Sequence, residues 1–285
     1  MKLSILPVSL FAEISSGKMS LGEWAAYAQS KGTDGYDASI LFFPNSTPTT
    51  IEAMKKQINN RDVSISPVMV CCYPDFTNPD SAERERQLDY LRRDIALISD
   101  FGFRYVRVTA GQNHPGLEIH EAAKRCADCF AKMADVAERY GVRMVFENHS
   151  KPGAWPLIDF SFNQEAFLAV YEEIRDIPMG INFDTANAVA CGANPEQLLK
   201  SVIDKVETIH LNDAATVGKW TPTPVGRGLV DFEAIFHVLK ENNFDGWVCI
   251  EEASGQGLQG IDNAIEFARK YVNERGGIHE KRNLS

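Results

Sequence analysis

The sequence predicts one α/β domain over residues 1–285, a closed (β/α)8 barrel. Three observations carry that expectation. Eight short apolar, β-rich runs recur along the chain. A helical pattern follows each of them. No Ser/Pro/Gly-rich linker or low-complexity tract divides the 285 residues, a length that suits a single barrel. Strands that alternate with helices pair in parallel through right-handed crossovers, and eight such units close on themselves as a TIM barrel.

Each element has its own warrant. Leu3–Ser9 reads as the first strand. The opening residues carry one Lys and an apolar stretch, as a secretion signal would, but Pro7 interrupts the stretch and no A-x-A site follows. Ser20–Lys31 reads as a helix, with Ser20 at the N-cap and Glu23 in the capping-box position. Gly35–Ala38 is the second strand, Thr49–Asn59 a helix, and Val63–Val70 the third strand. Ser81–Asp100 places apolar residues at 88, 91, 95 and 98, on one helical face. Tyr105–Thr109, Arg143–Glu147, Gly180–Asp184, Thr208–Leu211 and Trp247–Glu251 complete the strands. Helices at Glu118–Tyr140, Asn163–Arg175, Pro195–Ser201, Asp231–Asn242 and Gln256–Arg275 follow them, leaving a disordered tail at 276–285.

Composition removes several classes of function. A net charge of −10 and a pI near 5.2 repel phosphate backbones, and no Lys/Arg cluster offsets this, so no nucleic-acid partner is expected. No apolar run reaches the roughly 20 residues that a membrane span needs. The six cysteines (71, 72, 126, 129, 191 and 249) read as reduced thiols of a cytoplasmic protein. Cys126 and Cys129 form a CxxC inside a helical run, with no second CxxC or HxxxH to complete a metal site.

The chemistry gathers at strand ends. A barrel presents its reactive groups at the C-terminal ends of its strands. The fifth strand ends in Glu147, within Val145-Phe146-Glu147-Asn148-His149-Ser150. The sixth ends in Asp184, the seventh carries His210, and the eighth ends in Glu251. Strand side chains alternate with period two, so Val145 and Glu147 share a face, as do Asn182 and Asp184, Thr208 and His210, and Cys249 and Glu251. One inward register fits all four polar groups. Singly, such an acid is more often a helix cap or salt-bridge partner, and such a histidine a bonded core residue. Together, three carboxylates around one point repel by about 4 kcal/mol per pair at about 4 Å and an effective dielectric of about 20. A divalent cation resolves that conflict. Three oxygen donors and one imidazole suit Mn²⁺ or Mg²⁺, with Zn²⁺, Co²⁺ and Fe²⁺ also compatible.

These residues also resemble a known family. The motifs VFENH (145–149), NFDTAN (182–187), IHLND (209–213), VGRGLVDF (225–232) and CIEE (249–252) are similar to those of the xylose-isomerase-like sugar isomerase/epimerase superfamily. The likeness covers the C-terminal half well, and the N-terminal half only in rhythm. It implies a metal held by Glu147, Asp184, His210 and Glu251. It further implies that Glu147 and Glu251 face opposite sides of a substrate carbon, one removing a proton and the other returning it through a metal-stabilised enediolate. The implied substrate is a small sugar or keto-polyol. Family epimerases often carry His where this chain has Asn187, which can hydrogen-bond a hydroxyl but cannot shuttle a proton. Endonuclease relatives need further His ligands that VMVCCYPDF does not supply.

Around that centre, His149 shares the inward face of Glu147 and is expected either to line the site or to hydrogen-bond one of the ligands. Arg107 enters from the fourth strand on the face of Thr109. Arg227, in the loop after the seventh strand, is a candidate grip for a carboxylate or phosphate. Tyr73, Phe76 and Trp155 are candidate walls of a sugar pocket, and His114 in TAGQNHPG (109–116) a candidate substrate contact. The leading expectation is a metal-dependent isomerase or epimerase. The alternative is a dehydratase of an inosose- or dehydroshikimate-like keto-polyol, with His149 or His114 as general acid. A third is a sugar-binding module without catalysis. A homo-oligomer is compatible with each.

Overall fold

The computed structural model describes residues 1–43, 46–150 and 155–272. The tail expected at 276–285 and the end of the last expected helix lie outside those residues. Eight parallel strands form a nearly closed barrel: β1 (Lys2–Leu6), β2 (Gly35–Ser39), β3 (Ser66–Cys71), β4 (Tyr105–Val108), β5 (Arg143–Glu147), β6 (Gly180–Asp184), β7 (Val206–Leu211) and β8 (Trp247–Glu251). Ladders join β2 in turn to β8, and β8 to β1. Hydrogen bonds outside any ladder join the β1–β2 seam, two of them through side chains. Leu3 N–H donates to Asp34 Oδ2 (2.8 Å), Asp34 N–H donates to Leu3 C=O (2.8 Å), and Ser4 Oγ donates to Asp37 Oδ2 (2.7 Å).

Around the barrel run α1 (Phe11–Ser15), α2 (Leu21–Ser30), α3 (Pro48–Asn59), α4 (Ser81–Asp100), α5 (Ile119–Arg139), α6 (Gln164–Glu173), α7 (Thr185–Ala190), α8 (Pro195–Val202), α9 (Phe232–Glu241) and α10 (Gly257–Val272). The capping box of α2 forms as expected: Ser20 accepts from Glu23 N–H while the Glu23 carboxylate accepts from Ser20 N–H. Thr47 caps α3, whose first residue is Pro48.

Three strand limits differ from expectation by two residues or more, each for a local reason. β1 stops at Leu6 because Pro7 has no N–H for a ladder, and the chain turns into a 3₁₀ segment at Val8–Leu10. β3 starts at Ser66 rather than Val63, because Gln29 Oε1 accepts from Ser64 N–H (2.6 Å) and Ile65 N–H (3.3 Å) and so takes the donors a ladder would use. β7 starts earlier, at Val206, which pairs with Ile181.

Two cores hold the barrel. The larger lies between the sheet and its helices, where Phe76, Phe130, Phe146 and Phe167 pack in a chain with centroids 5.5–5.7 Å apart. The smaller fills the barrel interior with Val68, Met69, Val145, Trp247 and Cys249. Phe76 therefore belongs to the outer core, not to a sugar pocket.

Asp37 sits beside this inner core, fully buried, accepting from Ser4 Oγ (2.7 Å) and Met69 N–H (3.1 Å), with Cys249 and His210 as its other neighbours of consequence. Burial raises its carboxyl to about 6 against those hydrogen bonds and the His210 charge. Its neutral form is favoured on folding, so stability from this group is full below about pH 4 and is lost as pH rises through about 6. An asparagine at this position offers an acceptor to Met69 N–H and a donor to Ser4 Oγ. Asp37→Asn is expected to gain up to about 3 kcal/mol over the parent at pH 8, and nothing at pH 4. Urea titrations at the two pH values read this directly.

Candidate metal centre

The register steps the polar groups into one ring. Asp184 pairs with His210, and Glu147 with Asn182 one pleat below Asp184. Glu147, Asp184, His210 and Glu251 each offer a ligand atom, and all four atoms lie within 4.8 Å of one another. His210 Nδ1 stands 3.3 Å from Glu147 Oε1 and 2.6 Å from Glu251 Oε2. Glu147, Asp184 and His210 are fully buried, whereas the Glu251 side chain keeps 12% of its surface open.

Side chains fasten the strands at this level. Asn148 joins β5 to β6 by two bonds: its Nδ2 donates to Asp184 C=O (2.8 Å), and its Oδ1 accepts from Asp184 N–H (2.8 Å). Thr185 Oγ1 joins β6 to the end of β7, donating to Asn212 C=O (2.6 Å) and lying 3.1 Å from Asn212 N as its acceptor. Asp184 has two tasks. Its Oδ1 accepts from Asn187 N–H (2.6 Å) and caps α7, while its Oδ2 is buried without a partner. The helix-cap reading therefore applies to it, and its second oxygen is left over for a ligand role.

Arg107 completes the electrostatics. It is 2% exposed, and its Nε lies 2.7 Å from Glu147 Oε2. Burial opposes ionisation of Glu147, but the charges of Arg107 and His210 outweigh it and hold that carboxyl below its usual range. Asp184 goes the other way. Burial raises it well above the carboxylate range, and the charges of Glu251 and Glu147 raise it further. Burial pulls His210 down, yet the two glutamates more than reverse this and keep its pKa well above the imidazole range.

This environment fits a cation. Glu147 Oε2, Asp184 Oδ2, His210 Nε2 and Glu251 Oε2 are buried without aligned hydrogen bonds among the described residues. A divalent ion would satisfy the oxygens and relieve the crowding that raises Asp184. Hard carboxylate oxygens favour Mn²⁺ or Mg²⁺, and the imidazole also admits Zn²⁺, Co²⁺ or Fe²⁺.

The other candidates separate into two sets. Asn187 reaches the cluster, its Nδ2 donating to Glu147 Oε1 (3.3 Å). Tyr73 flanks it, with the Arg107 guanidinium 4.7 Å from its ring centroid and the His149 ring 6.2 Å away. His149 is 8% exposed, and its Nδ1 lies 3.5 Å from Asp159 Oδ2. Trp155 is half-buried, and its Nε1 finds no partner among the described residues.

Arg227 does not join them. Asp213 accepts from Ala214, Gly226, Gly228 and Val230 N–H (2.7–3.2 Å), drawing the loop over itself. A Cβ on Gly228 would sit 2.2 Å from Asp213 Oδ1, so only glycine fits there. The fold leaves Arg227 exposed in a surface hollow with Glu266 and Lys270 of α10. Asp213→Ala is expected to free this loop: proteolysis between residues 214 and 230 should quicken at least about tenfold while far-UV circular dichroism stays unchanged. His114 is likewise engaged elsewhere, its Nε2 2.9 Å from Asp75 Oδ2.

A family model described as xylose isomerase-like TIM barrel matches residues 25–271. The chain belongs to this family. Within it, the chain is 25% identical over 265 residues to an inosose dehydratase of Clostridium beijerinckii, covering 82% of this chain and 84% of the relative. A crystal structure of a D-tagatose 3-epimerase-like protein superposes with a TM-score of 0.74 at 18% identity, covering 96% of this chain and 98% of that one. The IOLI protein, solved with a zinc atom, superposes with a TM-score of 0.71 at 19% identity over 96% of this chain and 99% of that one. These structures share the fold of this xylose isomerase-like barrel. No helix among its described residues is long and apolar enough to cross a membrane.

Proposed function

We propose that this protein is a divalent-metal-dependent isomerase or epimerase of a small sugar or keto-polyol. One observation carries the reading: two carboxylates, Glu147 on β5 and Glu251 on β8, approach the same His210 nitrogen from opposite ends of a four-strand arc. A substrate carbon between them has a base on one side and an acid on the other. A cation held by Glu147, Asp184, His210 and Glu251 would polarise a carbonyl next to that carbon and make its proton easier to remove.

The chain's own groups do the rest. Glu147, kept ionised and in place by Arg107, removes the proton. Glu251, the less enclosed carboxylate, returns one from the other face. Asn187 offers an amide to a substrate hydroxyl, while Tyr73 and His149, with rings 6.2 Å apart, enclose the mouth and limit water.

A second reading, dehydration, rests on a different observation. His149 sits at the mouth beside Asp159, and Asp159 Oδ1 accepts from Ser161 N–H (2.9 Å) and Ser161 Oγ (2.7 Å). Such a histidine can protonate a departing hydroxyl. The inosose dehydratase relative supports this version. Incubating Mn²⁺-loaded protein with ketoses and inososes in D₂O separates the two. Deuterium in a product of unchanged formula supports isomerisation, and loss of one water supports dehydration. Neither change with any substrate counts against both.

A further inference from the structure

Across the mouth from β6 and β7 lies a hollow of about 400 Å³. Leu41 and Phe43, which follow β2, form one wall, and Tyr90, Leu91 and Asp94 in the middle of α4 form the other. Tyr73, which follows β3, is the wall shared with the metal cluster. Its ring holds the Arg107 guanidinium at 4.7 Å, and Arg107 Nε is 2.7 Å from Glu147 Oε2. Two contacts thus separate the hollow from a ligand.

The lining is unusual for free surface. Leu41 is 43% exposed and Tyr90 49% exposed, large apolar side chains held open beside the mouth. Among them the Asp94 side chain keeps only 14% of its surface open, and its nearest cation, Arg93, is 3.5 Å away and itself 68% exposed. Burial raises the Asp94 carboxyl to about 6. A largely apolar space with one enclosed carboxylate suits a flat ring bearing a hydroxyl. The volume is that of a ligand portion, not of a macromolecule.

We propose that the hollow is a substrate subsite: it holds the aromatic substituent of a keto-glycoside whose sugar-ring ketone and neighbouring hydroxyl meet the metal cluster, with a hydroxyl on the aromatic ring donating to Asp94. The inference rests on the sugar reading above and narrows it to aryl-substituted sugars.

The test is calorimetry on Mn²⁺-loaded protein with methyl, phenyl and 4-hydroxyphenyl β-D-glucosides. Burying a phenyl ring should tighten binding at least about tenfold over methyl. The 4-hydroxyl should add a few-fold more, lost in Asp94→Ala. Leu41→Asp or Tyr90→Lys should abolish the phenyl preference and leave metal content unchanged. Both side chains are exposed, so neither change opens the core. Equal affinity for the three glycosides, including no measurable binding of any, overturns the subsite. So does a phenyl preference that survives both rim variants. Manganese is assayed in the same samples. Protein that binds manganese without a phenyl preference loses the subsite alone, and protein with a phenyl preference but no manganese loses the metal reading alone.

Discussion

Glu251→Gln is expected to cut turnover by about 10³-fold and leave the fold intact. A positioned general acid or base contributes about 10²–10⁴-fold, and Gln keeps the shape while losing the oxygen that carries the proton. Glu251 is the least enclosed of the four, with 12% of its side chain open, so the amide costs little in packing. The same change removes one anionic donor, so metal affinity should fall as well. Saturating Mn²⁺ separates the two effects. If metal binding recovers and turnover does not, the carboxylate acts on substrate. Full activity in Glu251→Gln would end the proton-transfer account. Steady-state kinetics with metal analysis on each sample provide the readout.

The largest effect on stability should come from Arg107→Met. Arg107 and Glu147 are 2% and 0% exposed, and their contact is 2.7 Å. Removing one member of a buried ion pair costs about 3–5 kcal/mol, because the other charge stays behind without compensation. Here the stranded charge is a carboxylate beside two more. The variant should unfold at lower urea in chelator, and added Mn²⁺ should restore part of the loss, since a cation at the cluster would neutralise Glu147 from the other side. Metal-independent stability equal to the parent would show that Arg107 does not support Glu147. Chemical denaturation with and without EDTA decides it.

The centre was legible because its rule is short-range. Glu147, Asp184, His210 and Glu251 each sit on a strand, where a period of two fixes the face whatever the rest of the chain does. Arg107 was visible as an inward residue, but its pairing with Glu147 depends on how β4 sits against β5 in a closed barrel. Asp159 left no trace: no strand or helix period relates its position to that of His149, and only the folded chain brings the two side chains together. Arg227 misled for the same reason. Its place in VGRGLVDF gives no hint that Asp213 gathers four neighbouring N–H groups and turns that side chain outward. The start of β3 failed on a long-range contact. Val63, Ser64 and Ile65 look like strand, yet Gln29 captures the donors of Ser64 and Ile65. Phe76 was read as pocket wall because it lies in a loop, although its ring joins the Phe130 core.

The metal is the claim on which the chemistry stands. Crystals grown with Mn²⁺ and measured at the manganese edge test it most directly. One anomalous peak is expected at the barrel mouth, about 2.0–2.6 Å from oxygens of Glu147, Asp184 and Glu251 and from a nitrogen of His210. Crystals with no peak there, the four side chains fully ordered, would contradict the account.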